Sequence, residues 1–300
     1  MSELSGKKVA VDISIYLYKF TGDGALLENM YLMLSIFRHY GIIPVFIFDG
    51  KPPDEKKDLL NQRKGDKTRA KMEYNKLKAQ LETDTNLDNE EKQDISNTMD
   101  ILKKQFIYIQ KDQILKVKEL MRAFGATYFD APGEADELCA LLTIKKKVWA
   151  CLSEDMDLFV YGCPRVLRYF SLIKHNAVIY HTQKIYDELG LKEKEFRQIC
   201  VLSGTDYNIQ SSKNTDLYST LKIFKKYHKR IGSEENDFYS WLIENTDYVE
   251  DYQFIQQIYS LFDLKEVDYP TLNFEHIKIQ NGPYNKAEIK KIMVDDGFLF

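Results

Sequence analysis

Four short apolar runs set the rhythm of the first half of the chain: 9–13 (VAVDI), 44–48 (PVFIF), 127–131 (TYFDA) and 148–153 (VWACLS). Each is rich in Val, Ile or aromatic residues and reads as a strand buried within a parallel sheet. Helical periodicity fills the gaps. Leu26 to Tyr40 is one such segment, closed by Gly41. Asp112 to Phe124 is clearer, with Ile114, Val117, Met121 and Phe124 on one face and Gly125 as its stop. Strand and helix in alternation predict an α/β fold built on a doubly wound, mostly parallel sheet. Further on, Leu167 to Phe170 and Ala177 to His181 flank SLIKHN as a β-hairpin. From Thr182 the pattern is largely helical, with an aromatic-rich C-terminal part.

Between Lys51 and Gln105 the pattern changes. Apolar positions thin to Met72, Leu77, Leu81, Leu87, Ile95, Met99 and Leu102, set in a highly charged background. Helices of this kind have little to bury and project from the body. The predicted organisation is therefore an α/β core formed by 1–50 and 106–207, a charged helical insertion over 51–105, and a helical region over 208–300. The insertion reads either as a solvated, partly disordered segment or as a mobile cover above the crevice of the sheet.

Composition is that of a globular protein: 44% hydrophobic and 29% charged over 300 residues. The longest apolar run, Ile42 to Phe48, is broken by Pro44 and is too short to span a bilayer. The N-terminus lacks the apolar stretch of a secretory signal, which predicts a soluble intracellular protein. The four cysteines form no CxxC pair and the five histidines are scattered, against a disulfide framework or a zinc site. Cys139 and Cys151 read as small core residues. The net charge of −4 is unevenly spread. Ten basic residues lie between Lys51 and Lys78, seven acids between Glu82 and Asp100, and a second basic run holds Lys222, Lys225, Lys226, Lys229 and Arg230.

The candidate chemistry lies in seven carboxylates: Asp12, Asp49, Glu134, Asp136, Asp155, Asp157 and Asp206. Most stand where an apolar run ends, in the phrases VAVDIS, PVFIFDG, APGEAD, SEDMD and SGTDY. In an open α/β sheet the C-terminal strand edges converge on one crevice. Acids gathered there repel one another unless cations hold them. A single acid after a strand is usually a helix cap or turn former, and Asp54, Asp58, Asp130 and Glu154 are read that way. Glu137 reads as solvent-facing. All-oxygen ligands favour Mg²⁺ or Mn²⁺ over zinc, and paired divalent ions suit in-line attack on a phosphodiester.

The succession VAVDIS, PVFIFDGKPP, APGEADELCA, SEDMDLFVYG and SGTDY resembles the flap endonuclease and xeroderma pigmentosum group G superfamily of structure-specific nucleases, from about Lys7 to Tyr207. The resemblance implies a PIN-like nuclease core with two Mg²⁺ per site, Mn²⁺ substituting. It assigns Asp49, Glu134 and Asp136 mainly to one metal with Asp12 in the outer shell, and Asp155 and Asp157 to the second. Asp206 assists, and Asp136 bridges. Lys56 and Arg63 match the basic pair directed at the scissile phosphate, expected on one face of a helix. Tyr18 matches an aromatic on which a base stacks.

The chain departs from that pattern in three places. It starts almost at the first strand. After SGTDY, where the family has a glycine-rich helix–turn–helix, the stretch NIQSSKNTDLYSTLKIFKKY holds no glycine, although Lys222, Lys225 and Lys226 can still meet phosphates. No sliding-clamp motif is present at the end, DDGFLF. The expected activity is a divalent-metal-dependent 5′ nuclease acting on flapped or branched DNA, as a monomer away from membranes. The alternatives are an RNA-cleaving PIN-like enzyme and an inactive nucleic-acid- or protein-binding scaffold.

Overall fold

The computed structural model describes residues 1–84, 88–207, 216–230, 237–249, 251–265 and 278–298. Strands β1 (Lys8–Asp12), β2 (Ile43–Phe48), β3 (Thr127–Asp130), β4 (Ala150–Leu152), β5 (Arg165–Ser171) and β6 (Asn176–His181) form one sheet of order β3-β2-β1-β4-β5-β6. Neighbours from β3 to β5 run parallel, and β6 closes the edge antiparallel to β5 as the predicted hairpin. The order reverses direction between β1 and β4, which opens a crevice outside their carboxyl ends.

The first helices are α1 (Ile13–Gly22), α2 (Leu26–His39), α3 (Lys57–Thr83), α4 (Asn89–Gln105), α5 (Lys111–Ala123), α6 (Ala135–Ile144) and α7 (Asp157–Val160). They are followed by α8 (Thr182–Leu189), α9 (Glu193–Ser203), α10 (Leu217–Arg230), α11 (Phe238–Asn245), α12 (Tyr252–Leu261) and α13 (Lys286–Asp295). Strand residues alternate between two cores because successive side chains point to opposite faces. Val9, Val11, Phe46, Phe48 and Leu152 pack beneath α1, α2, α5 and α13. Ala10, Val45, Ile47 and Cys151 pack beneath α6, α7 and α9 to α12. Cys139, Cys151 and Cys163 are buried, so the small-core reading of the first two stands.

The C-terminal helices are thus built into both faces rather than set apart. Gly125, at φ +70° after α5, is where the chain before α13 crosses: Gly282 N donates to Gly125 O at 2.7 Å. A Cβ on Gly125 would lie 2.5 Å from the Gly282 carbonyl carbon.

The described part of the insertion is two helices, α3 and α4, packed on each other. Only Ala70 of α3, and no residue of α4, is buried. Tyr74 meets Phe106 edge-on at 5.4 Å. Asp88 starts α4 with a reciprocal cap: its carboxylate accepts from Glu91 N at 2.8 Å, and Glu91 Oε2 accepts from Asp88 N at 3.0 Å. The described part of the predicted helical insertion is therefore helix with a thin seam, while Leu87 lies outside the described residues. So does 208–215, the first part of the glycine-free stretch. Asp130 and Glu154 are not caps: Asp130 pairs with Lys118, and Glu154 accepts from Tyr169 N and pairs with Arg168. No helix among the described residues is long and apolar enough to cross a membrane.

Candidate metal centre

The C-terminal edge of the sheet delivers the acids. Asp12 ends β1, Asp49 follows β2, and Asp155 follows β4. Glu134 stands at the N-cap position of α6 after β3, and Asp136 lies in the first turn of α6. Asp157 opens α7. Asp206 comes from another direction, just past α9, where Gly204 at φ +110° breaks the helix. Asp12, Asp49, Glu134, Asp136, Asp155 and Asp206 line one cleft of about 400 Å³ with Lys56, Arg63 and Tyr18. Asp157 joins them from the side, because oxygens of Asp136, Asp155 and Asp157 lie within 4.8 Å of one another. Asp136 therefore stands with the Asp155–Asp157 pair, and Asp49 and Glu134 lie outside that tight group.

Gly50 makes the convergence possible. Its N–H donates to Gly133 O at 2.7 Å, and a Cβ there would sit 1.9 Å from Ala131 O. Only a residue without a side chain lets the DGKPP turn lie against the APGEAD loop. Asp49 then spans the gap, with Oδ1 accepting from Ala135 N at 2.9 Å at the start of α6 and Oδ2 accepting from the Ser14 hydroxyl.

The remaining acids are held by local donors. Asp12, 5% exposed, accepts from Ser153 Oγ at 2.8 Å and from Ser14 N at 3.2 Å. Asp157 N donates to Asp155 Oδ1 at 2.9 Å, and Asp155 N donates to Ser153 Oγ at 3.1 Å. Glu137 is half-buried rather than solvent-facing.

Crowding governs the electrostatics. Burial first, and then the charges of Asp49 and Asp155, push the Asp12 carboxyl up to about 7. Burial, Asp155 and Asp206 push Asp157 up to about 7 as well. Asp136 rises well above the ordinary carboxylate range, through burial and then the charges of Asp155, Glu134 and Asp12. These carboxyls resist ionisation until positive charge arrives. Burial pushes the Cys139 thiol up to about 11 and Cys200 up to about 12, which keeps both protonated at neutral pH.

Part of the compensating charge is internal. Lys56, buried at 6% exposure, places Nζ 2.6 Å from Glu134 Oε1 and 3.2 Å from Asp206 Oδ2. Burial alone would lower its pKa; the Glu134 hydrogen bond and the neighbouring acids outweigh that and raise it. Arg63 Nη2 reaches the same Asp206 oxygen at 3.1 Å. The pair is not on one helix, because Lys56 ends a 3₁₀ turn (Asp54–Lys56) just before α3. They converge through Asp206 instead. Tyr18 is 45% exposed at the cleft, with Lys67 Nζ 4.8 Å from its ring centre.

Lys222, Lys225 and Lys226 stand apart, exposed on α10. Ser14, Ser153 and Tyr207 were not anticipated as site residues. Each stands within one of the acid-bearing phrases, Ser14 in VAVDIS, Ser153 in SEDMD and Tyr207 in SGTDY, and the Tyr207 hydroxyl donates to Glu134 Oε2 at 2.6 Å.

The XPG N-terminal domain matches residues 1–70 and the XPG I-region matches residues 125–206. A flap endonuclease 1 of Zea mays is 30% identical over 312 residues, covering 98% of this chain and 76% of that protein. The chain belongs to the XPG/flap endonuclease family. Flap endonuclease 1-B of Xenopus laevis is 31% identical over 220 residues, covering 67% of this chain and 54% of its own length. The chain thus spans about half the length of the first family relatives it matches. The XPG/flap endonuclease fold extends through nearly the whole chain. The catalytic core of Rad2 in complex with DNA substrate superposes with a TM-score of 0.66 at 22% identity, covering 98% of this chain and 89% of that one.

The donor set fits a hard divalent cation. It is made of oxygens alone, three carboxylates approach within 4.8 Å, and their crowding is relieved by positive charge.

Proposed function

We propose that the chain is a divalent-metal-dependent, structure-specific 5′ nuclease that hydrolyses phosphodiesters in flapped or branched DNA. One observation carries the reading: the fold brings all seven carboxylates together with Lys56 and Arg63 at a single crevice. Family membership supports it. In this reading Asp136, Asp155 and Asp157 hold one Mg²⁺, and Glu134 with Asp136 and Asp49 holds a second. Asp12 and Asp206 orient these ligands from outside, and Mn²⁺ substitutes for Mg²⁺. When bound, the ions supply activation of water and stabilisation of the leaving oxygen.

The chain's own side chains do the rest. Lys56 and Arg63 neutralise charge that develops on the scissile phosphate. Tyr18 offers a face on which the adjoining base stacks. Lys222, Lys225 and Lys226 meet the sugar–phosphate backbone and position the duplex without reading sequence. The insertion 51–105 covers the core formed by 1–50 and 106–207, and 208–300 supplies the duplex-holding side. The protein acts as a soluble intracellular monomer.

Cleavage of a labelled panel tests this: 5′ flap, nicked duplex, gapped duplex, single strand, RNA and Holliday junction, each with Mg²⁺ and with EDTA. The expected result is metal-dependent cutting of a branched DNA. Asp155→Ala combined with Asp157→Ala should abolish cutting while low-salt DNA binding persists. Cleavage by that double variant would sink the assignment, and cutting confined to RNA would move the substrate class.

A further inference from the structure

Both carboxylate oxygens of Glu134 are taken by protein donors, and the two donors differ in kind. Oε1 accepts from Lys56 Nζ at 2.6 Å, from a side chain at the foot of the charged insertion. Oε2 accepts from the Tyr207 hydroxyl at 2.6 Å, from a side chain of the core. Tyr207 is 5% exposed, and its ring meets Phe262 edge-on at 5.4 Å. Its oxygen lies 3.2 Å from the hydroxyl of Tyr161, itself 2% exposed. The Lys56 ammonium lies 5.5 Å from the centre of the Tyr207 ring.

A phenol has one proton to donate and lone pairs to accept. A carboxylate has no proton to give, so the 2.6 Å contact uses the Tyr207 proton. The proton of Tyr161 is then free to point at the Tyr207 oxygen, which makes a directed chain from Tyr161 through Tyr207 to Glu134. Glu134 stands at the N-cap position of α6 but its side chain makes no cap bond, so the phenol holds Oε2 in place and leaves Oε1 to the ammonium. The Lys56 contact is of the opposite character. A cationic side chain holds Oε1 and reaches Asp206 with the same ammonium, and a metal cation would be drawn to the same two acids.

We propose that Tyr207, oriented by Tyr161, is a positioning residue that presents Oε1 of Glu134 to a divalent cation, and that the cation takes the place of the Lys56 ammonium on that oxygen. The proposal rests on the metal-dependent reading above. It joins two events: cation binding releases Lys56 from Glu134, and Lys56 becomes available to a phosphate in the same cleft. Groups that orient a metal ligand from outside contribute about 10- to 100-fold in affinity.

Mn²⁺ binding to the full chain without nucleic acid, followed by titration calorimetry, tests this independently of cleavage. Tyr207→Phe keeps the ring that packs on Phe262 and removes only the hydroxyl. It should weaken Mn²⁺ binding about tenfold, with Tyr161→Phe giving a smaller loss in the same direction. Lys56→Met should tighten binding, because it frees the Glu134 oxygen. In cleavage assays Tyr207→Phe should need more Mn²⁺ for half-maximal rate and regain the wild-type rate at saturation, a pattern that a general packing defect would not produce. Equal Mn²⁺ affinity of wild type and Tyr207→Phe overturns the positioning role, and weaker binding by Lys56→Met overturns the exchange. Mn²⁺ affinity that depends on Tyr207 in a protein that cuts no nucleic acid would support this proposal and overturn the nuclease reading. A wild type that binds no Mn²⁺ overturns both.

Discussion

Lys56 pairs with two acids at once while buried, and those acids outweigh the cost of its burial and hold a full positive charge in the cleft. Lys56→Ala should therefore slow single-turnover cleavage by about 100-fold or more, the scale of losing one stabiliser of developing charge. Its effect on DNA affinity should be much smaller; a change confined to Kd would remove Lys56 from the chemical step. At this scale the sequence was informative about which residues meet and less so about how. Lys56 and Arg63 were legible from their place after DGKPP. Their meeting through Asp206, 143 residues from Arg63, was not, since spacing along a helix says nothing of a partner so distant. Tyr207 was missed for the same reason, its bond to Glu134 crossing 73 positions. Asp49 shows the converse: a residue picked out as a ligand also serves as a helix-start acceptor for α6.

The turn after β2 shows how an element sets the site. With Gly50 against Ala131 and Gly133, Gly50→Ala forces two backbone segments apart. The expected cost is about 1–3 kcal/mol, as for overpacking a filled interior, together with weaker divalent-cation binding as Asp49 and Glu134 separate. Denaturant melts and cation titration check the two effects, and an unchanged midpoint would mean that the loop yields. Strands were the most legible elements, because β1, β2 and β4 are short, mostly apolar and buried; β3, also read as buried, is the edge strand and has no fully buried residue. Their ends moved by a residue or two: Trp149, read as strand, bonds to Lys8 O but lies just before β4. Helices α3 and α4 were legible as a charged helical insertion but not in how they pair. Their packing rests on a narrow seam, too weak a signal against so many charges.

Across the whole molecule the gathered acids make stability depend on pH and metal together. The Asp12 and Asp157 carboxyls, at about 7 in the folded chain against 3.8 ordinarily, keep protons that the unfolded chain has released. In that window the folded state binds more protons, so metal-free stability falls as pH rises from about 4 to about 7. The metal-free protein should melt at a higher temperature near about pH 5 than near about pH 8, and added Mg²⁺ should raise the melting temperature more at the higher pH. Equal Mg²⁺ effects at both values would remove the acids from the metal's binding energy. The contact between Gly125 and Gly282 bears on a different property, the order in which the protein is completed during synthesis. Thr127 also bonds to Gln280, 153 residues later, and α13 covers α5 only after the chain returns from the opposite face. A chain emerging from the ribosome can pair β1 to β5 and gather its acids well before that return. Through that interval the apolar surface of α5 that α13 covers stays exposed to solvent, where it favours aggregation until α13 arrives.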